Sequence, residues 1–223
     1  MPSNPLKNGS EKPRAAEAIF EALRREIAFG RLKPRERLIE HDLCQRFATS
    51  NHNIRQAFEL LDRVGLVERR ANRGVEVKAL TSTELDDLHE VHALLQGEGA
   101  RKLDLLHSDA IALRLTDING RYAEAIRSGN VEDAVLANDA FHTATFDFCT
   151  NADLAALQRT YWLKASVVIS RALTDQALAQ ASVQEHDAMI AAIQTRDVGA
   201  LVNIAVAHIE PAVAVYRRIF GLV

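Results

Sequence analysis

The segment 38–77 constrains the fold of this chain more than any other, because helix, turn and strand signals follow one another closely within it. Apolar residues at helical spacing predict a short helix over 38–47. After a turn, Ser50 is placed to cap a second helix, which ends at Gly65. Two helices joined by so short a turn are typical of a helix-turn-helix unit.

Two short strands are predicted directly after these helices. Residues 66–70 and 75–79 have strand-like length, and Asn72-Arg73-Gly74 between them suits a hairpin turn that needs positive φ angles. A further amphipathic helix over 15–29 precedes the whole unit. This order predicts a winged helix-turn-helix with a small β-hairpin wing.

The composition is that of a soluble globular protein, with 48% hydrophobic and 26% charged residues in a chain of 223. The sequence has no run of about 18 apolar residues, and its first residues lack the apolar core of a signal peptide. Its two cysteines fall in different predicted helices, which favours a reducing compartment. We therefore expect a cytoplasmic protein without a membrane span.

The charge is distributed unevenly between the two parts of the chain. Residues 1–80 contain 16 lysines and arginines against 11 acidic residues, a balance of +5, whereas residues 81–223 contain 11 against 19, a balance of −8. A basic N-terminal part joined to an acidic remainder fits a nucleic-acid-binding module attached to a part that does not contact phosphate.

The rest of the chain carries helical periodicity alone. We predict six helices near 83–106, 109–128, 131–149, 152–174, 182–195 and 197–220. Pro211 should kink or shorten the last of them. The predicted fold class is therefore mainly α, with a flexible arm over 1–12, a winged helix-turn-helix DNA-binding domain over 13–80 and a C-terminal antiparallel all-α helical bundle over 81–223.

The second helix of a helix-turn-helix places its N-terminal residues against base edges in the major groove of double-stranded DNA. Those positions are held by Ser50, Asn51, His52, Asn53 and Arg55. Asn can pair with adenine, and Arg with guanine or phosphate. Arg73 and Gly74, at the tip of the wing, could reach a minor groove or the backbone. For each residue alone, a role as a helix cap or a solvated side chain stays open.

Several motifs resemble the GntR family of bacterial transcription regulators over residues 15–80. They are Ile27-x-x-Gly30-x-Leu32-x-Pro34, Leu38-x-Glu40-x-x-Leu43, Ser50-x4-Arg55-x-Ala57-Phe58, Gly65-Leu66-Val67 and Asn72-Arg73-Gly74. The resemblance implies a homodimeric regulator, expected to be a repressor, on an inverted-repeat operator. Arg35 stands where the family usually has Gly, and Asn51 and His52 stand where it often has Arg and Thr.

Three histidines, His142, His186 and His208, lie on the apolar faces of separate predicted helices. Burying an imidazole without a partner costs about 1–3 kcal/mol. A divalent metal ion would satisfy all three, and Asn138, one turn before His142, could add an oxygen ligand. Zinc, nickel or manganese suit this set, with cobalt and iron as further candidates. Hydrogen-bonded core histidines are the alternative.

The same residues resemble the ligand-binding domain of the FadR subfamily. The motifs are Asn138-x-x-Phe141-His142, Glu185-His186, His208 and the helix Val91 to Arg101. The resemblance implies a bound divalent metal that supports a small effector, usually a carboxylate. His92 and Gln96 replace the subfamily's usual Arg and Glu, which removes a bidentate carboxylate partner. His92 and Arg171 are the candidate effector contacts, although Arg171 could instead face the bundle surface.

Three functions are compatible with these residues. The first is a regulator whose helical domain binds a metal and an effector, expected to be an organic acid, that modulates operator binding. The second is the same regulator with a structural metal or none. The third is a metal-dependent enzyme, which is disfavoured because Glu185 points about 100° away from His186 on a helix and the sequence has no His-Glu-x-x-His pattern. His41, His89 and His107 are predicted to be solvated.

Overall fold

The computed structural model describes residues 15–70 and 74–222 of the chain. Within these ranges its α-helices are α1 (Ala15–Ala28), α2 (Glu40–Arg46), α3 (Asn51–Arg63), α4 (Ser82–Arg101), α5 (Ser108–Arg127), α6 (Val131–Asp147), α7 (Ala152–Ala172), α8 (Gln176–Gln194), α9 (Val198–Ala207) and α10 (Glu210–Phe220). Its strands are β1 (Arg37–Leu38), β2 (Val67–Arg70) and β3 (Gly74–Val77). The predicted arm over 1–12 and the wing-tip residue Arg73 lie outside the described residues.

The N-terminal domain is a three-helix unit with a small sheet. Leu23 and Ile27 of α1 are buried together with Ile54, Phe58 and Leu61 of α3, and these side chains form its hydrophobic core. The apolar positions recur every three or four residues, so each helix has one buried face. β3 lies between β1 and β2 and is antiparallel to both. The predicted winged helix-turn-helix is confirmed.

The strand β1 was not predicted from the sequence. Its two residues pair with β3, Arg37 opposite Glu76 and Leu38 opposite Val75, so α2 begins at Glu40 and not at residue 38. A strand of two residues is too short to show the period-2 pattern on which strand prediction depends.

Arg35, just before β1, adopts a left-handed backbone conformation with φ of 67°. Its backbone N–H donates to the Val77 carbonyl oxygen at 2.8 Å, which fixes the turn onto the sheet. Glycine tolerates this conformation without a steric cost. The departure from the GntR pattern noted in the sequence therefore falls at a position where the backbone favours glycine.

The C-terminal part is a bundle of seven helices within residues 82–222. α5 packs against α6 and α8, while α4 packs against α7 and α9. A central cluster of apolar side chains joins α5, α6, α8 and α9, with Ile111, Leu115, Phe141 and Ile193 fully buried. The predicted all-α bundle is confirmed.

Three helix boundaries differ from the prediction. α8 begins at Gln176 because the Asp175 side chain accepts hydrogen bonds from the backbone N–H groups of Ala177 and Leu178. α4 ends at Arg101 and is followed by a 3-10 turn over Leu105–His107, whereas a helix to 106 was predicted. The segment predicted as the last helix forms two helices, and Pro211 lies in the first turn of α10. Backbone N–H groups in a first turn have no hydrogen-bond partner within the helix, so proline is tolerated there.

The segment 198–220 is long and apolar enough to cross a membrane when only length and composition are considered. In the structure it is divided into α9 and α10, which pack against α4, α7 and α8. It also carries Arg217 and Arg218 in its last turns. The segment thus forms one side of the helical bundle.

The start of α4 is held by a capping box. The Thr81 hydroxyl accepts from the Glu84 N–H at 3.2 Å, and the Glu84 carboxylate accepts from the Thr81 N–H at 2.9 Å. A hydrogen bond from Lys78 and one from the Thr81 backbone lower the pKa of Glu84 to about 2. The box fixes the point at which the chain passes from the sheet into the bundle.

Replacing Thr81 with Ala should lower the free energy of unfolding by about 1 kcal/mol, because the Glu84 N–H loses the hydroxyl that accepts its hydrogen bond. The expected fall in Tm is about 2–4 °C for a chain of this length, measured by calorimetry. Thr81→Ser keeps the hydroxyl and is the matched control. Equal Tm values for the Ala and Ser variants would contradict the role of the cap.

Candidate DNA-reading face and metal centre

The solvent-exposed face of α3 carries polar side chains of the types that read DNA bases. They are Asn51, His52, Arg55 and Gln56. On the opposite face, Ile54 and Phe58 are buried against α1. Gln56 was not among the predicted residues, although its spacing of four from His52 places it on the same helical face.

Two other predicted residues, Ser50 and Asn53, hold the turn before α3. The Ser50 side chain caps α3 by accepting from the Asn53 backbone N–H. The Asn53 side-chain amide donates to the Thr49 hydroxyl at 2.8 Å and is partly buried. Ser50 and Asn53 therefore stabilise the start of α3, and their side chains do not project from its exposed face.

Arg55, at the centre of the exposed face of α3, forms only an exposed ion pair. Arg55 contacts Glu40 of α2 at 2.9 Å, and the Arg55 side chain is 63% exposed. Exposed ion pairs contribute little, so a DNA phosphate or a guanine could replace Glu40 at small cost. Gly74 opens β3 with φ of 79°, a conformation that only glycine adopts readily. The predicted contact Arg73 lies outside the described residues.

The second site lies in the bundle, where three helices bring His142, His186 and His208 together. They belong to α6, α8 and the C-terminal end of α9, and one nitrogen from each lies within 4.8 Å of the others. The Nε2 atoms of His142 and His186 are 3.3 Å apart. His142 and His186 are buried, and the His208 side chain is 11% exposed. We refer to these three residues as the histidine triad.

Two of the triad histidines are oriented by hydrogen bonds on their outer nitrogen. Asn119 of α5 faces His186 Nδ1 at 3.1 Å through its side-chain oxygen and donates to Asp187 at 2.7 Å. The Glu185 carboxylate contacts His208 Nδ1. With Nδ1 held in this way, Nε2 of each ring is directed inward, as in histidine ligands of metal ions.

Sequence reasoning missed both orienting residues. Glu185 was expected only to point away from its neighbour His186, but the bundle brings it to His208, and it lines a cavity together with His142 and His208. Asn119 lies 67 positions from His186 in the chain, and no local spacing connects them. Only the packing of α5 against α8 creates this contact.

Burial favours the neutral form of His142 and His186. It lowers the pKa of His142 and of His186 well below the ordinary value of histidine, and neighbouring His208 lowers both further. Burial also lowers the pKa of His92 to about 4. Neutral imidazole is the form that donates a nitrogen lone pair to a metal ion.

Two small cavities adjoin the triad. One, of about 30 Å³, is lined by His142, His208 and Asn138, whose buried Nδ2 has no hydrogen-bond partner among the described residues. The other, of about 40 Å³, lies on another side of His142 and is lined mainly by apolar side chains, with Gln96 and Gln158. In neither cavity does a lysine or arginine of the described chain form part of the lining.

Neither of the two candidate effector contacts lines these cavities. His92 is buried, with its Nε2 3.1 Å from the Gln96 side-chain nitrogen, and lines a third cavity beside His89. Arg171 lies at the junction between the domains, where its guanidinium packs against the backbone of Gly30. The structure thus brings neither residue to the walls of the triad cavities.

The prediction that His89 is solvated is wrong. Its side chain is 23% exposed and contacts Glu210 at 2.7 Å, because α10 covers this part of α4. His41 and His107 are exposed, as predicted.

Comparison with known proteins agrees with both parts of the structure. The protein-family model described as "Bacterial regulatory proteins, gntR family" matches residues 15–77, and the family model of the FCD domain matches residues 87–211. The HTH-type transcriptional regulator BphR of Paraburkholderia xenovorans is 27% identical over 213 residues, which cover 92% of this chain and 86% of BphR. A protein of Paenarthrobacter nicotinovorans, named as a D-xylose utilization operon transcriptional repressor, is 23% identical and covers 82% of this chain and 80% of its own length.

Solved structures show the same fold over nearly the whole chain. E. coli McbR/YncC superposes with a TM-score of 0.79 at 15% identity, covering 94% of this chain and 100% of that protein. A GntR regulator from Rhodococcus sp. RHA1 gives 0.76 at 22% identity, covering 92% of this chain and 97% of that protein.

The family and the relatives are transcriptional regulators, so this protein is a DNA-binding transcription regulator and not an enzyme. With a helix-turn-helix domain followed by an FCD domain, the chain belongs to the GntR family of bacterial regulatory proteins.

Proposed function

We propose that this regulator is a cytoplasmic homodimeric repressor of the FadR subfamily whose helical domain, over 81–223, binds a divalent metal ion and a small effector that modulates operator binding by the domain over 13–80. One observation carries the proposal. Three imidazoles from three helices converge within 4.8 Å of one another in the bundle.

The residues present fit a metal ion. His142, His186 and His208 would each supply one nitrogen, and Asn138 would supply its side-chain oxygen. The buried Asn138 nitrogen has no partner among the described residues. Rotating the Asn138 side-chain amide by half a turn would place its oxygen at the position of this nitrogen, where it could bind a metal ion. Three nitrogens and one oxygen suit zinc, nickel or manganese, and the bound ion would act as a Lewis acid toward an effector anion.

The cavity walls define what an effector would meet. The 40 Å³ cavity beside His142 is large enough for a few water molecules and too small for a metabolite, so the helices around it must part to admit one. The carboxylate charge of an organic acid would be balanced by the metal, because the walls formed by the described residues carry no cation. Gln158 Oε1, which is buried without a partner in the described chain, would accept a hydrogen bond from an effector N–H or O–H.

The small cavity also favours a second candidate, in which the metal is structural and the protein has no organic effector. A metal ion alone would then hold α6, α8 and α9 together, and metal supply would be the signal. An effector that changes operator affinity by about 1–3 kcal/mol in metal-loaded protein would exclude this candidate.

For DNA binding we propose that Asn51, His52 and Arg55 read base edges or phosphates, that Ser50 and Asn53 support them, and that Arg73 and Gly74 place the wing near the backbone. A two-fold protein reads an inverted repeat with its two copies of α3. Repression is supported by the name of the Paenarthrobacter relative.

Dimer formation is supported by apolar side chains that the single chain leaves in solvent. Leu94 on α4 is 66% exposed, and Val206 on the neighbouring α9 is 36% exposed. A second copy could cover this surface. A molecular mass of 24.7 kDa by sedimentation equilibrium, equal to that of one chain, would contradict the dimer.

Elemental analysis of protein purified without an affinity tag should find about one divalent ion per chain. His142→Ala, His186→Ala and His208→Ala should each lose it, because three nitrogen ligands are needed for tight binding. His107→Ala is the matched control, since His107 is exposed and pairs only with Asp104 among its polar neighbours. Wild-type protein without metal, or triad variants that retain it, would contradict the site.

Arg55→Ala should weaken binding to an oligonucleotide that the protein selects from a random double-stranded pool. We expect a loss of about 1–3 kcal/mol if Arg55 contacts a base, measured by fluorescence anisotropy. Arg121→Ala removes an equally exposed arginine from α5 and is the control. A loss of equal size in both variants would indicate a general charge effect and would contradict the reading role.

A further inference from the structure

We propose that Asp139 and Trp162 are positioning residues that couple the histidine triad to helix α1 of the DNA-binding domain, so that the state of the triad and the affinity for DNA depend on each other. This inference rests on the proposed function, because it concerns how the triad regulates DNA binding. The contact path runs from His142 through Trp162 and Asp139 to Arg24, and we call it the relay.

The relay begins with a ring stack. Trp162 of α7 lies on the imidazole of His142, with ring centroids 4.2 Å apart and planes inclined by 29°. The indole is 3% exposed, and Phe146 and His92 contact it edge-on. Because the two rings are stacked, a rotation of His142 toward a ligand would displace Trp162.

The second contact joins the indole to a carboxylate. Trp162 Nε1 donates to Asp139 Oδ1 at 3.2 Å. Asp139 follows the proposed ligand Asn138 on α6 and precedes His142 by one helical turn. The carboxylate is therefore tied to the triad both through the helix backbone and through the indole.

The third contact crosses between the domains. Arg24 of α1 lies 3.6 Å from the second Asp139 oxygen, and the two side chains are only 11% and 18% exposed. Water and salt screen a pair at this depth far less than a surface pair. Arg24 also pairs with Glu21 of its own helix at 3.0 Å, so separating Arg24 from Asp139 would leave the Asp139 carboxylate, and not Arg24, without an opposite charge. A buried pair of this kind is a weak source of net stability but constrains the positions of its partners.

The last contact reaches the DNA-reading helix. Leu23, next to Arg24, is completely buried and packs in the same core as Ile54 and Phe58 of α3. Leu163 and Val167 of α7, on the helix that carries Trp162, also pack against this core. A displacement of α1 or α7 must therefore displace α3.

The chain offers a matched control for this path. Arg31 and Glu132 form another ion pair between the domains, at 2.8 Å, but their side chains are 60% and 45% exposed. Neither residue contacts the triad or the indole. Breaking this pair removes a cross-domain salt bridge and leaves the relay intact.

Trp162 is the only tryptophan of the chain, so its fluorescence reports the relay directly. The experiment uses the full-length protein and a double-stranded oligonucleotide selected from a random pool. Saturating DNA should change Trp162 emission in the wild type and in Arg31→Gln. In Arg24→Gln and Asp139→Asn the change should be at least about fivefold smaller, while Arg24→Lys, which keeps the charge, should restore part of it.

A second measurement uses Zn²⁺ alone as the ligand. Loading wild-type protein should change its Kd for the selected DNA by about fivefold or more, and in Trp162→Phe by less than about twofold. Phenylalanine keeps a ring against His142 and loses the Nε1 donor. Unchanged circular dichroism spectra would show that each variant is folded.

The outcomes separate the two proposals. A full emission response to DNA in folded Arg24→Gln, or no response in the wild type, overturns the relay even if the protein holds metal. A response that depends on Arg24, in wild-type protein that does not bind added Zn²⁺, supports the relay and overturns the proposed metal function.

Discussion

The convergence of three imidazoles in the helical bundle, two of them buried and His208 partly buried, is the interaction on which the rest of the structure depends. A buried polar ring needs a partner for each nitrogen, because an unmet group costs about 1–3 kcal/mol. Asn119 and Glu185 supply partners for the outer nitrogens of His186 and His208. The inner nitrogens are left near one another, and the proposed metal site rests on this arrangement.

The sequence predicted the features that repeat along a helix and missed those created by packing. His142, His186 and His208 could be found because each lies on an apolar face at helical spacing. Asn119 could not, because its contact with His186 joins distant parts of the chain. The strand β1 escaped prediction for a different reason: two residues carry no periodicity, and their pairing with β3 is set by the register of the sheet.

The backbone conformation of Arg35 is a further feature that depends on contacts between distant parts of the chain. Its φ of 67° accompanies the hydrogen bond from its N–H to the Val77 carbonyl oxygen, and the left-handed conformation costs a residue with a Cβ about 1–2 kcal/mol. A pattern of residue types indicates that the position is unusual, since Gly is expected there. The structure explains why, because the turn must bring the chain onto β3 within two residues.

Helix α7 contacts both domains. One of its side chains, Trp162, stacks on the triad, while Leu163 and Val167 pack on the core beneath α3. The cavities beside the triad are too small for a metabolite, so any effector that enters must move the helices that line them, and α7 is one of these helices. Thermodynamic linkage makes any such coupling reciprocal: if a ligand in the bundle shifts the affinity for DNA, DNA must shift the affinity for that ligand by the same factor.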